Sequence, residues 1–163
     1  MTELTAEYLR EVLHYDSDTG VFTWRMRHDV DPWWNGRYAG KIAGTKNKDG
    51  YIAIAIFDKR YVAHRLAWFY QFGEWSFVDH RDGVRDNNRS GNLRKATSQQ
   101  NNQNRKRTGK YLKGVWCRGR RWQAQITKDR RKYNLGYFDT EAQAHAAYVR
   151  AAKLMFGEFA RAS

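Results

Sequence analysis

The sequence predicts an α+β protein in two parts, and three patterns predict it. Gly50-Tyr51-Ile52-Ala53-Ile54-Ala55-Ile56 alternates large and small apolar residues, the period of a half-buried strand. Residues 78–105 read strand, polar loop, strand, helix, and residues 111–160 read strand, strand, strand, helix. The first part is expected to span residues 1–103 and the second 111–160, with 104–110 a basic linker.

Along the first part, residues 5–14 form a short amphipathic helix pattern. Thr5 is its N-cap, and Leu9, Val12 and Leu13 fall on one face beside Leu4 and Tyr8. Asp16-Ser17-Asp18-Thr19-Gly20 is a turn, and Val21-Phe22-Thr23-Trp24 a strand. Residues 25–49 look irregular and hold the only proline, Pro32. After the 50–56 strand, Asp58-Lys59 makes a tight turn and Arg60-Tyr61-Val62 returns. A helix then runs from His64 to about Phe72 and stops at Gly73.

In the second part, Trp122, Ala124 and Ile126 alternate with Arg121, Gln123, Gln125 and Thr127. One face is apolar and the other polar, as in a sheet covered on one side. Val115, Leu135 and Phe138 extend the apolar set. The closing helix opens on Thr140-x-x-Gln143, a capping-box pattern, and Ala144, Ala147, Tyr148, Ala151 and Met155 recur at helical spacing. These are core positions, and the small alanines let the helix sit close to the sheet.

The net charge of +13 is unevenly placed. Residues 1–60 carry nine Lys/Arg and nine Asp/Glu, whereas residues 61–163 carry twenty-one and eight, so the whole excess lies in the latter. A localised excess points to a polyanionic partner, of which nucleic acid is the commonest. A membrane surface would require an amphipathic basic helix or a lipidation signal, and the sequence offers neither. The single cysteine, Cys117, excludes a disulfide framework and a cysteine-built zinc site within one chain. Met1-Thr2-Glu3-Leu4 opens without a charged n-region or an apolar h-region, so an intracellular protein is expected.

The chemistry concentrates in Val78-Asp79-His80, an eleven-residue polar loop, Asn92-Leu93-Arg94, and a helix beginning near Thr97 or Ser98 with Asn101 within about its first turn. Phosphodiester hydrolysis requires a base to activate water and a cation to stabilise the leaving oxygen. A histidine's unperturbed pKa lies near neutrality, which makes His80 the natural base. Asp79 and Asn101 supply hard oxygens that suit Mg²⁺ or Mn²⁺ rather than zinc, and two protein ligands leave room for water and phosphate. Asn92 carries an amide that can either bond across the loop and hold it or fix the orientation of His80. Arg65, Arg81, Arg85, Arg89 and Arg94 are candidate phosphate clamps.

The stretch VDHRDGVRDNNRSGNLR, preceded by AHRLAWFYQFGEW, resembles HNH endonucleases of the phage and intron-homing type. The resemblance implies a β-β-α metal finger, with His80 the general base, Asp79 and Asn101 the metal ligands and Asn92 structural. Many relatives have His where this chain has Asn101, and a subset has Asn. Neighbouring Asn102 and Asn104 leave the second ligand open. His64, in Ala-His-Arg-Leu, recurs in that family just before the finger. A catalytic or phosphate-contacting role and a structural hydrogen bond are its two readings.

Residues 111–160 resemble AP2/ERF-type DNA-binding domains, through Lys113-Gly114-Val115-Trp116-Cys117-Arg118, Arg121-Trp122-Gln123-Ala124-Gln125-Ile126 and Asn134-Leu135-Gly136-Tyr137-Phe138-Asp139-Thr140-Glu141. The resemblance implies a three-stranded antiparallel sheet packed on one helix, with the sheet lying in the DNA major groove. The polar face offers Trp116, Arg118, Arg121, Gln123, Gln125 and Lys132, with Lys113 nearby and Arg120, Arg130 and Arg131 at the hairpin turns. Arg can bond guanine and Gln adenine through paired hydrogen bonds. A large aromatic on a polar face, such as Trp116, awaits a partner. Arg105, Lys106, Arg107 and Lys110 in the linker are expected to track the phosphate backbone.

The expected function is therefore a Mg²⁺- or Mn²⁺-dependent endonuclease acting on double-stranded DNA, of a phage or homing kind. One finger holds one active site, so a monomer should nick. The rival is a non-catalytic DNA-binding protein that keeps a degenerate finger. RNA binding ranks lower, because the RNA major groove is too narrow for such a sheet.

Overall fold

The first helix is shorter than its apolar stripe, because a strand claims its last turn. In the computed structural model, which describes residues 3–104 and 109–160, α1 spans Ala6–Val12. Thr5 caps it, its hydroxyl oxygen accepting the Tyr8 N–H at 3.2 Å. Leu13–Tyr15 then forms β1, which pairs antiparallel with β2 (Phe22–Trp24) around the expected 16–20 turn. Leu13 thus serves a strand, although it fits the helical stripe equally well.

Residues 25–49 are also more ordered than expected. They contain α2 (Pro32–Tyr38), with the proline in the first turn, and the two-residue strand β3 (Thr45–Lys46). No residue of α2 is buried, so no core periodicity announces it. The guanidinium of Arg27 lies 5.1 Å from the Trp34 ring centre, and that of Arg37 5.4 Å from Trp33.

The central sheet has the order β3-β4-β5, with β4 spanning Ile52–Ile56 and β5 Lys59–Val62. The turn between β4 and β5 falls on Phe57-Asp58 rather than 58–59. Both residues have positive φ (49° and 59°), the signature of a two-residue hairpin turn whose twist matches its strands. Helix α3 (Ala63–Phe72) follows and ends, as expected, on Gly73 in the left-handed conformation at φ 70°. Leu9, Leu13, Ile54, Ile56 and Leu66 form the centre of this core, each almost fully buried. Against it lies the two-stranded ribbon of β6 (Val78–His80) and β7 (Leu93–Lys95). A single 3₁₀ turn, Ser90–Asn92, replaces the expected start of the second strand at Asn92.

The chain divides into two compact units, Met1–Ala96 and Thr97–Ser163. Helix α4 (Ser98–Asn104) therefore groups with the second unit, ahead of the boundary expected near residue 104. Thr97 caps it reciprocally with Gln100, at 3.2 Å and 2.7 Å, so the helix starts where Thr97 or Ser98 was expected to start it.

The second unit holds a three-stranded antiparallel sheet of order β10-β9-β8, from β8 (Val115–Arg118), β9 (Arg121–Lys128) and β10 (Arg131–Phe138). Asp129 and Arg130 close the β9–β10 hairpin with positive φ. Helix α5 (Glu141–Phe156) begins with the Thr140–Gln143 capping box and packs Ala144, Tyr148 and Ala152 against Val115, Ala124, Ile126 and Leu135. Gly114, at φ +76°, admits this contact, because a Cβ there would stand 1.9 Å from the Tyr148 ring.

Candidate active site and nucleic-acid interface

The β6–β7 ribbon sets the site by its register. Asp79 lies opposite Arg94 and His80 opposite Leu93. Directly opposed residues share a face in an antiparallel pair, so the carboxylate and guanidinium meet. Arg94 donates to Asp79 Oδ2 through Nε at 3.1 Å and Nη2 at 2.9 Å, and both residues are buried. Arg94 is thus no exposed phosphate clamp. It neutralises the carboxylate that the sequence marks as a metal ligand.

His80 is buried at the end of β6, and its Nε2 lies 3.1 Å from Asn88 Oδ1. An imidazole protonated at Nε2 would donate to this amide oxygen. Asn88 is only 2% exposed, and its carbonyl accepts the Tyr15 hydroxyl at 2.7 Å. The side chain facing His80 Nε2 is that of Asn88, which nothing in the sequence distinguishes from the adjacent polar residues of the loop. Asn92 holds the loop instead. Its Nδ2 donates to Asp82 Oδ1 at 3.0 Å and to the Asn87 carbonyl at 2.8 Å, and its Oδ1 accepts the Asp82 N–H at 3.2 Å.

Asp82 is the hub of that loop. Burial pushes its carboxyl upward, but hydrogen bonds from the Val84 N–H, Asn87 and Asn92 outweigh this and hold it below its ordinary range. The loop is also tied to the β3–β4 hairpin. Lys46 pairs with Asp86 at 2.6 Å, and Arg85 donates to the Asp49 carbonyl at 2.6 Å while lying over the Tyr51 ring. The third anchor is the 16–20 turn, where a Cβ on Gly20 would stand 2.4 Å from the Asn88 carbonyl carbon. Gly20→Ala, at φ +76°, is expected to lower stability by more than about 1 kcal/mol. Urea unfolding checks this, and an unchanged midpoint would remove the close approach from the account.

His64 lies on the first turn of α3, its ring centre 4.9 Å from that of His80 in an edge-on contact and 5.2 Å from Tyr51. It is buried, and its Nδ1 has no hydrogen-bond partner. Burial, with Coulombic help from His80 and Arg65, pulls its pKa down to about 3. An unfolded histidine titrates near 6.5, so from about 6.5 down to about 3 the unfolded chain binds a proton that the folded chain refuses. The His64 contribution is complete above that window and is lost as pH falls through it, at about 1.4 kcal/mol per pH unit. Urea midpoints measured from neutral to mildly acidic pH should fall accordingly, and His64→Gln should flatten the slope. An unchanged slope in the variant would assign the acid sensitivity elsewhere.

Residues 61–103 match the family model for HNH endonuclease. The matched HNH segment contains His64, Asp79, His80, Asn88, Asn92 and Asn101. The chain is also 39% identical, over 85 residues, to an uncharacterized HNH endonuclease of Acanthamoeba polyphaga mimivirus. That similarity covers 52% of this chain and 45% of the viral protein, so the chain spans less than half of its relative. No solved structure matches significantly.

Within the HNH segment, Asp79, His80, Asn88, Asn92 and His64 are brought together in the first unit, and Asn101 sits half-buried on α4 in the second. The side chains of Asn102 and Asn104 lie outside the described residues, as do Arg105, Lys106 and Arg107 of the expected linker. Among the described residues, no group of three or more His, Cys, Asp or Glu is placed to hold a metal ion. Arg65 and Arg81 are exposed.

In the second unit, strand register collects the remaining candidates. Trp116, Gln123 and Tyr137 form one cross-strand row, Arg118 and Arg121 a second, Gln125 and Asn134 a third, and Thr127 and Lys132 a fourth. This face is opposite Ala124 and Ile126, which pack on α5. Trp116 and Tyr137 stay 36% and 47% exposed on it, large apolar surfaces among cations. Arg118 donates to Gln123 at 3.2 Å, and Arg121 to the Tyr137 carbonyl at 3.0 Å. Arg120, Arg130 and Arg131 are exposed at the hairpin ends, and Lys113 is half-buried before β8. No described helix is long and apolar enough to cross a membrane.

Proposed function

We propose that this protein is a DNA endonuclease that hydrolyses phosphodiester bonds with His80 as general base. The observation that carries the reading is a buried histidine at a strand end inside a matched HNH segment, its Nε2 engaged by Asn88. In this reading its imidazole takes the proton of the attacking water. Asn88 holds the ring at Nε2, and Asn92 with Asp82 keeps Asn88 in reach by closing the loop. Tyr51 and His64 lie against the imidazole and limit its movement.

A carboxylate and an amide oxygen are hard donors, which suit a magnesium- or manganese-type ion rather than zinc. Asp79 is the residue of the first unit that we assign to it, and Asn101, in the second unit, is the further ligand that the family resemblance implies. When bound, such an ion stabilises charge on the phosphate and on the departing 3′ oxygen. The polar sheet face of the second unit, resembling AP2/ERF domains, is assigned to double-stranded DNA. Arg118, Arg121, Gln123, Gln125 and Trp116 read or grip the groove, and Lys113, Arg120 and Lys132 contact phosphate. With one active site per chain a monomer nicks and a double-strand cut takes two chains, and a phage or homing role follows from the family resemblance alone.

One observation favours the rival, a DNA-binding protein with a silent finger: Asp79 is already neutralised by Arg94. Supercoiled plasmid incubated with pure protein over a series of Mg²⁺, Mn²⁺ and EDTA separates the two. Metal-dependent nicking abolished by EDTA supports the enzyme. Salt-sensitive retardation with intact plasmid in every metal supports the rival.

A further inference from the structure

We propose a second nucleic-acid site in the first unit: the cavity between β5 and the start of α3 takes one unpaired nucleotide of a DNA strand, its base stacked on Trp75 and its phosphate held by Arg60 and Arg65. The inference rests on the reading of this chain as DNA-binding. The cavity measures about 370 Å³ and is lined by Arg60, Tyr61, Val62, Arg65 and Trp75. That volume is at the small end of ligand pockets, which run from about 300 to 1,000 Å³.

Its walls combine two chemistries. Trp75 is 39% exposed, backed by Phe69 at a ring separation of 4.2 Å and 9°, with Tyr61 near-parallel at 5.7 Å and 16°. Phe69 thus fixes the plane of the indole, whose exposed part lines the cavity beside Arg65. Arg65 places its guanidinium 5.7 Å from the Trp75 ring centre, and Arg60 is exposed at the rim. Among the described residues, neither arginine has a carboxylate partner. A purely apolar ligand would leave both cations without an anion, and inorganic phosphate would leave the exposed part of the indole uncovered. A nucleotide answers both, through stacking and through charge-assisted bonds to phosphate. Bases inside a duplex have their faces covered by neighbours, so the base that fits is an unpaired one. Val62 and Arg65 flank His64, whose ring touches His80, so a strand held here is gripped at the same turn of α3 that lines the candidate base.

The test is binding by the full-length protein in EDTA, read by fluorescence anisotropy. The probes are an oligothymidylate of about twelve nucleotides, a blunt duplex of the same length, and free thymidine monophosphate as competitor. Trp75→Ala should weaken oligothymidylate binding about tenfold and leave duplex affinity nearly unchanged. Should Trp75→Ala fail to fold, judged by its urea transition, the Arg60→Ala/Arg65→Ala variant gives the same discrimination with a shallower salt dependence. An equal loss on both probes, or no loss on either, overturns the proposal. Competition by thymidine monophosphate as effective as by the oligonucleotide overturns the strand as the occupant. The readout is independent of cleavage. A plasmid assay without nicking sinks the nuclease reading alone, and indifference to Trp75 sinks the cavity alone.

Discussion

His80→Ala should abolish plasmid nicking while leaving duplex affinity nearly intact. Loss of a general base lowers rates by about 10²–10⁴. The side chain is buried at the end of β6 and contributes no cation to the sheet face that we assign to DNA. Asn88→Ala should fall between wild type and His80→Ala, because the imidazole stays but loses the oxygen 3.1 Å from its Nε2. Nicking by His80→Ala at the wild-type rate would end the assignment.

Arg94→Ala is expected to be the most destabilising single change in the first unit, by about 3–5 kcal/mol. It removes two hydrogen bonds from Asp79 and leaves a carboxylate at 9% exposure without its cation. Removing both charges together, as in Asp79→Asn/Arg94→Met, should recover much of the loss, since the penalty comes from the stranded charge rather than from the pair's net value. Urea midpoints measure both. Magnesium adds a further readout. If Asp79 holds a cation, Mg²⁺ should raise the Arg94→Ala midpoint more than that of wild type, because a ligand that binds only the folded state stabilises it. Equal midpoints for Arg94→Ala and wild type would show that the pair is not formed.

Much of the scaffold was legible because its signals are local. The Ile-Ala alternation of β4, the Gly73 stop of α3 and the Thr140–Gln143 box of α5 each encode their element within a few residues. Leu13 was ambiguous because a helical stripe and a strand edge accept it equally, and only pairing with Trp24 decides. Helix α2 left no periodic trace, since it buries nothing. In the site, Asp79, His80 and Asn92 stood out through spacing and family likeness. Asn88 did not, because Tyr15 and Gly20, some seventy residues upstream, decide which amide of the loop turns inward. The Asp79–Arg94 pair was hidden for a related reason. An eleven-residue loop does not fix the register of its strands as a two-residue turn does.

The hydroxyl of Tyr15 on the Asn88 carbonyl bears on portability. A graft of residues 61–103 into a foreign scaffold would carry His80, Asn88 and Asn92 but leave behind the hairpin that presses Asn88 inward. Its histidine would then sample several orientations and, in the role we propose for it, act as a poor base. Engineering that seeks to transplant this segment must therefore move the amino-terminal ribbon along with residues 61–103.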